Sequence, residues 1–433
     1  MKTVADAAVS AFASWKKTTV YERAAVLRRW NDLILSHGDE LARLIATEMG
    51  KPVTEARGEV RYAASFIEWY AEEAKRIYGA TIPSQFANKR LLVLHQPVGP
   101  VYAITPWNFP AAMVTRKVAP ALAAGCTVVL KPAEQSPLTA VRLRELWEEA
   151  GGPSDVFQVV TTSDPVAISK VFLDDPRIRK LTFTGSTEVG MKLYAQAAPT
   201  MKRLSLELGG HAPFLIFEDA DIDAAVREVC NSKFRNAGQT CVCVNRIYVH
   251  ESISEVFTNR LAKAVRALKV GDPLDEKTQI GPLVDAQGLE KVSSHVTDAV
   301  SKGARIVTGG SALEGLYYSP TVLTDLKPGM IILEEETFGP VAPVMTFRST
   351  SEAVDLANDV PYGLAAYLWT RDLSRAFQVA EALDYGIVGV NDGLPSTAQA
   401  PFGGFKYSGV GREGGKWGLE EYLEVKYVSL ILP

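Results

Sequence analysis

The stretch Val101-Tyr-Ala-Ile-Thr-Pro-Trp-Asn-Phe-Pro110, which runs on to Thr127-Val-Val-Leu-Lys131, decides the fold of this chain. Its two apolar runs, Val101 to Thr105 and Thr127 to Leu130, have the length and β-branched content of buried strands, and each opens into a polar turn containing proline. The alternation continues downstream. Val156 to Val160 and Leu181 to Phe183 read as strands, with helical patterns over Leu138 to Glu149 and Val166 to Leu173. Strand, helix and strand at this spacing predict parallel βαβ units and a doubly wound sheet. Beyond Gly209 a second series predicts strands at Phe214 to Phe217, Ile247 to His250, Val341 to Phe347 and Ala365 to Thr370. Helical patterns at Ile222 to Phe234, Glu255 to Leu268 and Leu289 to Ser301 lie between them, enough for a second α/β domain.

Upstream, residues 4 to 77 carry apolar positions at helical spacing, such as Val26, Trp30, Leu33 and Ile34, with Thr19 and Glu22 forming a capping-box pattern. Near residue 80 the texture changes, and Leu91 to His95 reads as a strand leaving the first domain. The tail, Tyr422 to Leu432, is another strand-like run, for which Leu91 to His95 is the candidate partner.

At 433 residues the chain has room for about three structural units. With 47% hydrophobic and 22% charged residues it is an ordinary globular composition, which excludes disordered and collagen-like classes. The formal net charge of −4 leaves no broad basic field for nucleic acid or an anionic membrane, so a small-molecule partner is expected. Four cysteines, Cys126, Cys230, Cys241 and Cys243, are too few for a disulfide framework. Asp6, Ser10 and Ser14 interrupt the N-terminal apolar residues, and no long uninterrupted apolar run follows. A cytoplasmic protein with no membrane span is expected.

Two motifs mislead. Gly409, Gly411 and Gly414 spell G-x-G-x-x-G, but no hydrophobic strand leads into them and they do not open a βαβ unit. The histidines, His37, His95, His211, His250 and His295, have no paired spacing, so neither a metal site nor a serine triad is expected.

The chemistry gathers elsewhere. Cys241 sits in Arg235-Asn-Ala-Gly-Gln-Thr-Cys241-Val-Cys243, a polar segment of small residues; a lone cysteine is more often a small buried hydrophobe. Glu207 ends an apolar run and precedes Leu208-Gly-Gly-His211, where it could serve a thiolate nucleophile as base and water activator. Asn108, between Trp107 and Phe109-Pro110, is a suitable amide donor to an oxyanion. Lys131-Pro-Ala-Glu134 and Phe183-Thr-Gly-Ser-Thr-Glu-Val-Gly190 also follow strands, and in a doubly wound sheet such residues converge on one rim. Gly185 and Ser186 would open a helix whose free N–H groups favour a phosphate. Lys131 and Glu134 could hold ribose hydroxyls or simply pair with each other.

ITPWNFP, KPAE, FTGS, ELGGH, GQTC and EEETFGPV, in this order and spacing, resemble the NAD(P)-dependent aldehyde dehydrogenase superfamily over essentially the whole chain. The resemblance implies a Rossmann-like NAD-binding domain from 1–78 and 98–209, a catalytic domain from 210–413, and a small β oligomerisation element from 79–97 and 414–433. Cys241 is then the nucleophile, forming a thiohemiacetal whose oxyanion is held by Asn108 and the Cys241 N–H. Hydride transfer leaves a thioester, hydrolysed with Glu207 as general base. The cofactor residues implied are Ile104, Trp107, Lys131, Glu134, Gly185, Ser186, Thr187, Val189, Gly190, Leu208, Glu336 and Phe338. Glu134 favours NAD, because a carboxylate accepts from a 2′-hydroxyl and repels a 2′-phosphate, although NADP is also used in the family.

Within the superfamily, KFRNAGQTCVCVNR and GLPSTAQAPFGG are similar to succinate-semialdehyde dehydrogenases. That likeness places Arg116, Arg235 and Ser396 around the far carboxylate of an anionic aldehyde; internal ion pairing is the alternative use of both arginines. Pro395 and Ala398 depart from the subgroup pattern, so glutarate semialdehyde stays open as substrate. Cys243 is a candidate resolving thiol for Cys241. Relatives carry a further N-terminal segment, so a truncated or short form is expected, and a homodimer or homotetramer is the expected assembly. A catalytically inert scaffold would be expected to lack Cys241, Glu207 or Asn108, and all three are present.

Overall fold

The computed structural model describes residues 1–433. Four helices, Lys2–Trp15, Val20–Ser36, Gly38–Met49 and Val53–Glu73, open the chain, and Thr19 closes a reciprocal cap with Glu22. Their apolar faces meet around Trp15, Trp30 and Trp147, whose rings pack edge to face while Trp30 Nε1 donates to the Leu143 carbonyl at 2.9 Å. This fills the large apolar volumes without orphaning the indole N–H.

The first sheet has six strands in the order Gly409–Val410, Arg203–Glu207, Lys180–Thr184, Val101–Ile104, Val128–Lys131, Phe157–Val159, parallel apart from Gly409–Val410. The chain starts at Val101–Ile104, builds outward to Phe157–Val159, then returns to the other side through Lys180–Thr184. The order therefore reverses between Val101–Ile104 and Lys180–Thr184, and a crevice opens beyond their carboxyl ends. The second sheet has seven strands: Arg305–Thr308, Thr321–Thr324, Val341–Phe347, Val244–His250, Ala212–Ile216, Ala365–Trp369 and Ile387–Val390. All but the first pair in parallel. The doubly wound α/β architecture expected from the alternation is present twice.

Leu423–Ile431 lies antiparallel on Lys89–Pro97, with Val425 opposite His95 and Ser429 opposite Leu91; Ala80–Ile82 completes a three-stranded sheet. Two parts of the expected division of the chain are corrected. Gly409–Val410, within the 210–413 segment, joins the first sheet by pairing with Leu206 and Glu207, and Leu419, Tyr422 and Leu423, from the 414–433 segment, enter the core of the first domain. Tertiary pairing overrides chain order here.

Helix Ala112–Ala124 is buried along its entire length, Arg116 and Lys117 included. A helix that is apolar nearly all round belongs in a core, and charges on it require partners brought from elsewhere. No helix is long and apolar enough to cross a membrane.

Candidate active site

Each carboxyl end at the crevice delivers one piece of chemistry. The turn after Val101–Ile104 carries Trp107 and Asn108; the turn after Lys180–Thr184 carries Gly185 and Ser186, with Ser186 capping helix Thr187–Ala197 by accepting from the Val189 N–H. The strand Arg203–Glu207 ends on Glu207. From the second domain, the segment before strand Val244–His250 delivers Cys241. Asn236 and Ala237 in that segment hold left-handed backbone, at φ 51° and 53°. Alanine rarely adopts that conformation, so the surrounding contacts must impose it. Phe338, at φ 56°, is strained in the same way.

Cys241 is half-buried and stands at the junction of two cavities. The first, about 360 Å³, is lined by Trp107, Asn108, Gly185, Ser186, Leu208, Glu336 and Phe338, with Trp107 and Phe338 edge to face at 5.6 Å. The second, about 370 Å³, is lined by Arg116, Arg235 and Ser396 together with Lys51, Glu55, Glu59, Tyr62 and Phe402. The nucleophile therefore faces the expected dinucleotide residues on one side and the expected anion-binding residues on the other.

Asn108 is buried, and its Nδ2 donates one hydrogen to the Gln239 carbonyl at 3.1 Å, which leaves the second N–H uncommitted. Burial pushes the Cys241 thiol up to about 12, against the opposing influence of Arg116. Glu207 is buried with neither carboxylate oxygen hydrogen-bonded. Burial, then the nearby Glu413 charge, holds it well above the usual carboxylate range. Glu413 itself is held below that range: burial works against the charge, but Lys117 and Arg116 both bond it.

Arg116 is thus committed in part to an internal ion pair through Nε, while its Nη2 has no partner. Arg235 makes no ion pair; its guanidinium lies 5.3 Å from the Phe109 ring centre and its Nε is unpartnered. Lys131 and Glu134 pair at 2.6 Å, at the rim rather than in the 360 Å³ cavity. Ile104 ends its strand beside Lys131. Val189 is exposed on the helix. Thr187 and Gly190 are not in the lining of the 360 Å³ cavity; they line a neighbouring pocket with Tyr194 and Tyr407 and touch residues of the first cavity from behind. Thr187 Oγ1 accepts from the Gly209 N–H, and a side chain at Gly190 would meet Leu208 Cδ2 at 2.3 Å, so these two pack the helix against the sheet.

The sequence reading passed over Glu413, Lys51 and Glu59, all charged and buried, and the helix start at Asp285, which lines the 360 Å³ cavity. Asp285 capping Gly288 is a readable N-cap signal; the other three show nothing locally.

The donor set fits a dinucleotide. A capped helix start at Gly185 and Ser186 suits a pyrophosphate, the aromatic pair suits a planar ring, and Glu336 offers a carboxylate to ribose hydroxyls. The family model for the aldehyde dehydrogenase family matches residues 1–428. The chain belongs to the aldehyde dehydrogenase family. Among proteins of known activity, the NADP(+) succinate-semialdehyde dehydrogenase of Escherichia coli is 54% identical over 427 residues, covering 98% of this chain and 88% of that protein. Glutarate-semialdehyde dehydrogenase of Pseudomonas putida is 53% identical over 98% of this chain and 88% of its own length. The structure of succinate-semialdehyde dehydrogenase from Burkholderia pseudomallei superposes with a TM-score of 0.98 at 53% identity, covering 99% of this chain and 89% of that one. This aldehyde dehydrogenase uses a nicotinamide dinucleotide, and its substrates are small aldehydes.

Proposed function

We propose that this aldehyde dehydrogenase oxidises a short semialdehyde, succinic semialdehyde foremost, to the dicarboxylic acid. The observation that carries the reading is Arg235. It is a cation without a carboxylate partner, in the cavity that opens on the Cys241 thiol, with Ser396 and the free Nη2 of Arg116 in the same wall. An anionic tail bound there would point the aldehyde carbon at sulfur. Glutarate semialdehyde is the second reading, favoured by the likeness to glutarate-semialdehyde dehydrogenases.

Cys241 Sγ attacks the aldehyde carbon, and the second N–H of Asn108 Nδ2 and the Cys241 backbone N–H receive the oxyanion. Each such donor is worth about 3–4 kcal/mol. The thiol must lose its proton to react, and a raised Glu207 carboxylate is the stronger base for that proton. A bound nicotinamide supplies the hydride acceptor. Glu207 gives up the thiol proton to solvent and then takes one from the water that cleaves the thioester on Cys241; the acid leaves, and the departing thiolate recovers its proton from Glu207. The family assignment and the presence of Cys241, Glu207 and Asn108 weigh against an inert scaffold or a dedicated esterase.

Glu134 supports NAD over NADP, because its carboxylate disfavours a 2′-phosphate. Exposed Val425, Tyr427 and Ile431 on the long edge strand Leu423–Ile431 support a homo-oligomer joined through that sheet. The four free cysteines suit a cytoplasmic setting.

The test is NADH appearance at 340 nm over a panel of aldehydes, with Cys241→Ala as control and Arg235→Met as probe. Arg235→Met should raise KM for succinic semialdehyde by about 10-fold or more and leave propanal unchanged, as expected for one lost charge-assisted contact. Equal wild-type rates on acetaldehyde and succinic semialdehyde would refute the anion-site reading.

A further inference from the structure

Beyond the groups that touch the reacting atoms, a buried ion pair holds one of them in place. Lys51 and Glu59 are each about 1% exposed at the side chain and pair directly with each other. Lys51 Nζ also donates to the Asn108 backbone carbonyl at 2.8 Å and lies 3.6 Å from the Phe109 ring centre. The second oxygen of Glu59 accepts from the Ala111 N–H at 2.9 Å and the Ala112 N–H at 3.3 Å, at the start of the buried helix Ala112–Ala124. One ion pair therefore grips both ends of the short segment 108–112. Asn236 Nδ2 adds a second donor to the same Asn108 carbonyl at 3.1 Å.

A buried pair of this kind is a poor stabiliser, since apolar side chains of equal volume generally serve as well. Its use is directional. The Asn108 side chain has one N–H fixed on the Gln239 carbonyl and one free, so the aim of the free N–H depends on where the backbone of residue 108 sits. Lys51, in the turn before helix Val53–Glu73, and Asn236, in the strained loop before Cys241, fix that backbone from two different parts of the chain. We infer that Lys51 and Glu59 are positioning residues for the oxyanion donor, acting through the Asn108 carbonyl and the Ala111 and Ala112 amides. This rests on the reading of Asn108 as that donor.

A competing use is visible, because Lys51 and Glu59 also line the cavity holding Arg235. Were Lys51 to bind the anionic tail directly, its loss would be felt in KM and only with charged aldehydes. A positioning residue affects every aldehyde alike, and in kcat.

The experiment compares Lys51→Met, Asn108→Ala and the double variant in the full-length enzyme. Steady-state kinetics with succinic semialdehyde and with propanal are read alongside hydrolysis of p-nitrophenyl acetate, which needs Cys241 and the oxyanion donors but no dinucleotide. Lys51→Met should lower kcat for both aldehydes, and the ester rate, by about 10- to 100-fold, with KM within about threefold, as expected for a small misplacement of a reacting group. The double variant should be no slower than Asn108→Ala alone. Glu59→Gln, which keeps an acceptor for the two amides, serves where Lys51→Met does not fold, and should show a smaller loss in the same parameters.

Additive losses in the double variant would overturn the inference, as would a KM effect confined to succinic semialdehyde. A normal kcat in Lys51→Met or Glu59→Gln beside a damaged Asn108→Ala would remove the clamp and leave the oxyanion donor standing. An undamaged Asn108→Ala would remove both.

Discussion

The backbone N–H of Gly210 donates to Glu336 Oε1 at 3.2 Å, so the carboxylate offered to the dinucleotide is tied to the glycines that follow Glu207. Burial raises Glu336 to about 7, with the Gly210 bond opposing. Ribose hydroxyls bind better to the charged form, so affinity for the dinucleotide should rise as pH increases from about 6 to about 8. Fluorescence titration of NADH across that range checks it, and in Glu336→Gln the profile should be flat and weaker overall.

Glu207→Gln should slow acylation, because the thiol loses its base, and slow deacylation further still. A single-turnover burst of NADH, followed by a steady rate reduced about 100- to 1,000-fold, is the expected trace for loss of a positioned base. The same variant carries a stability prediction. The folded-state pKa of Glu207 lies above its unfolded value, so its contribution is complete below about 4.5 and is lost as pH climbs through the raised value. Thermal midpoints above neutral pH should therefore be higher for Glu207→Gln than for the wild type.

Glu413→Ala strands two buried cations, Arg116 and Lys117, at 1% and 0% side-chain exposure. Breaking a buried pair by removing one partner costs about 3–5 kcal/mol. Chemical denaturation should show the loss in the midpoint. Arg116→Met with Glu413→Ala should recover part of it, while Glu413→Ala alone should not.

Gly190→Ala should act at a distance. The added methyl meets Leu208 Cδ2, and Leu208 lines the 360 Å³ cavity proposed to hold the dinucleotide. Overpacking of this kind costs about 1–3 kcal/mol. KM for the dinucleotide should rise about 10-fold while aldehyde KM stays near its wild-type value in steady-state assays; the reverse pattern would contradict the packing role.

The strand ends are readable in the sequence because parallel strands are buried on both faces, and their apolar runs stop where polar turns begin. This is why Asn108, Gly185, Ser186 and Glu207 can be placed on one rim from the residues alone. The G-x-G-x-x-G at Gly409 to Gly414 is a decoy in the fold as in the sequence: Gly409–Val410 is an edge strand beside Glu207, and the helix that follows spans only Gly415–Glu420. What the sequence hides is pairing over long separations. Arg116 is 297 residues from Glu413, and no local pattern announces that a carboxylate from the tail will neutralise a core helix. That Thr187 and Gly190 line the neighbouring pocket is hidden for a different reason. A helix start shows different residues to its two sides, and only the position of the neighbouring strand decides which side faces the crevice.

The placement of Cys241 between two cavities has a kinetic consequence. A molecule filling the Arg235 cavity reaches the sulfur without crossing the space lined by Gly185, Trp107 and Glu336. Dead-end inhibitors that mimic the aldehyde should therefore compete with aldehyde and not with dinucleotide, and inhibitors that mimic the adenosine half should show the converse. The two cavities have only Cys241 and Met113 in common, so filling one leaves most of the lining of the other untouched.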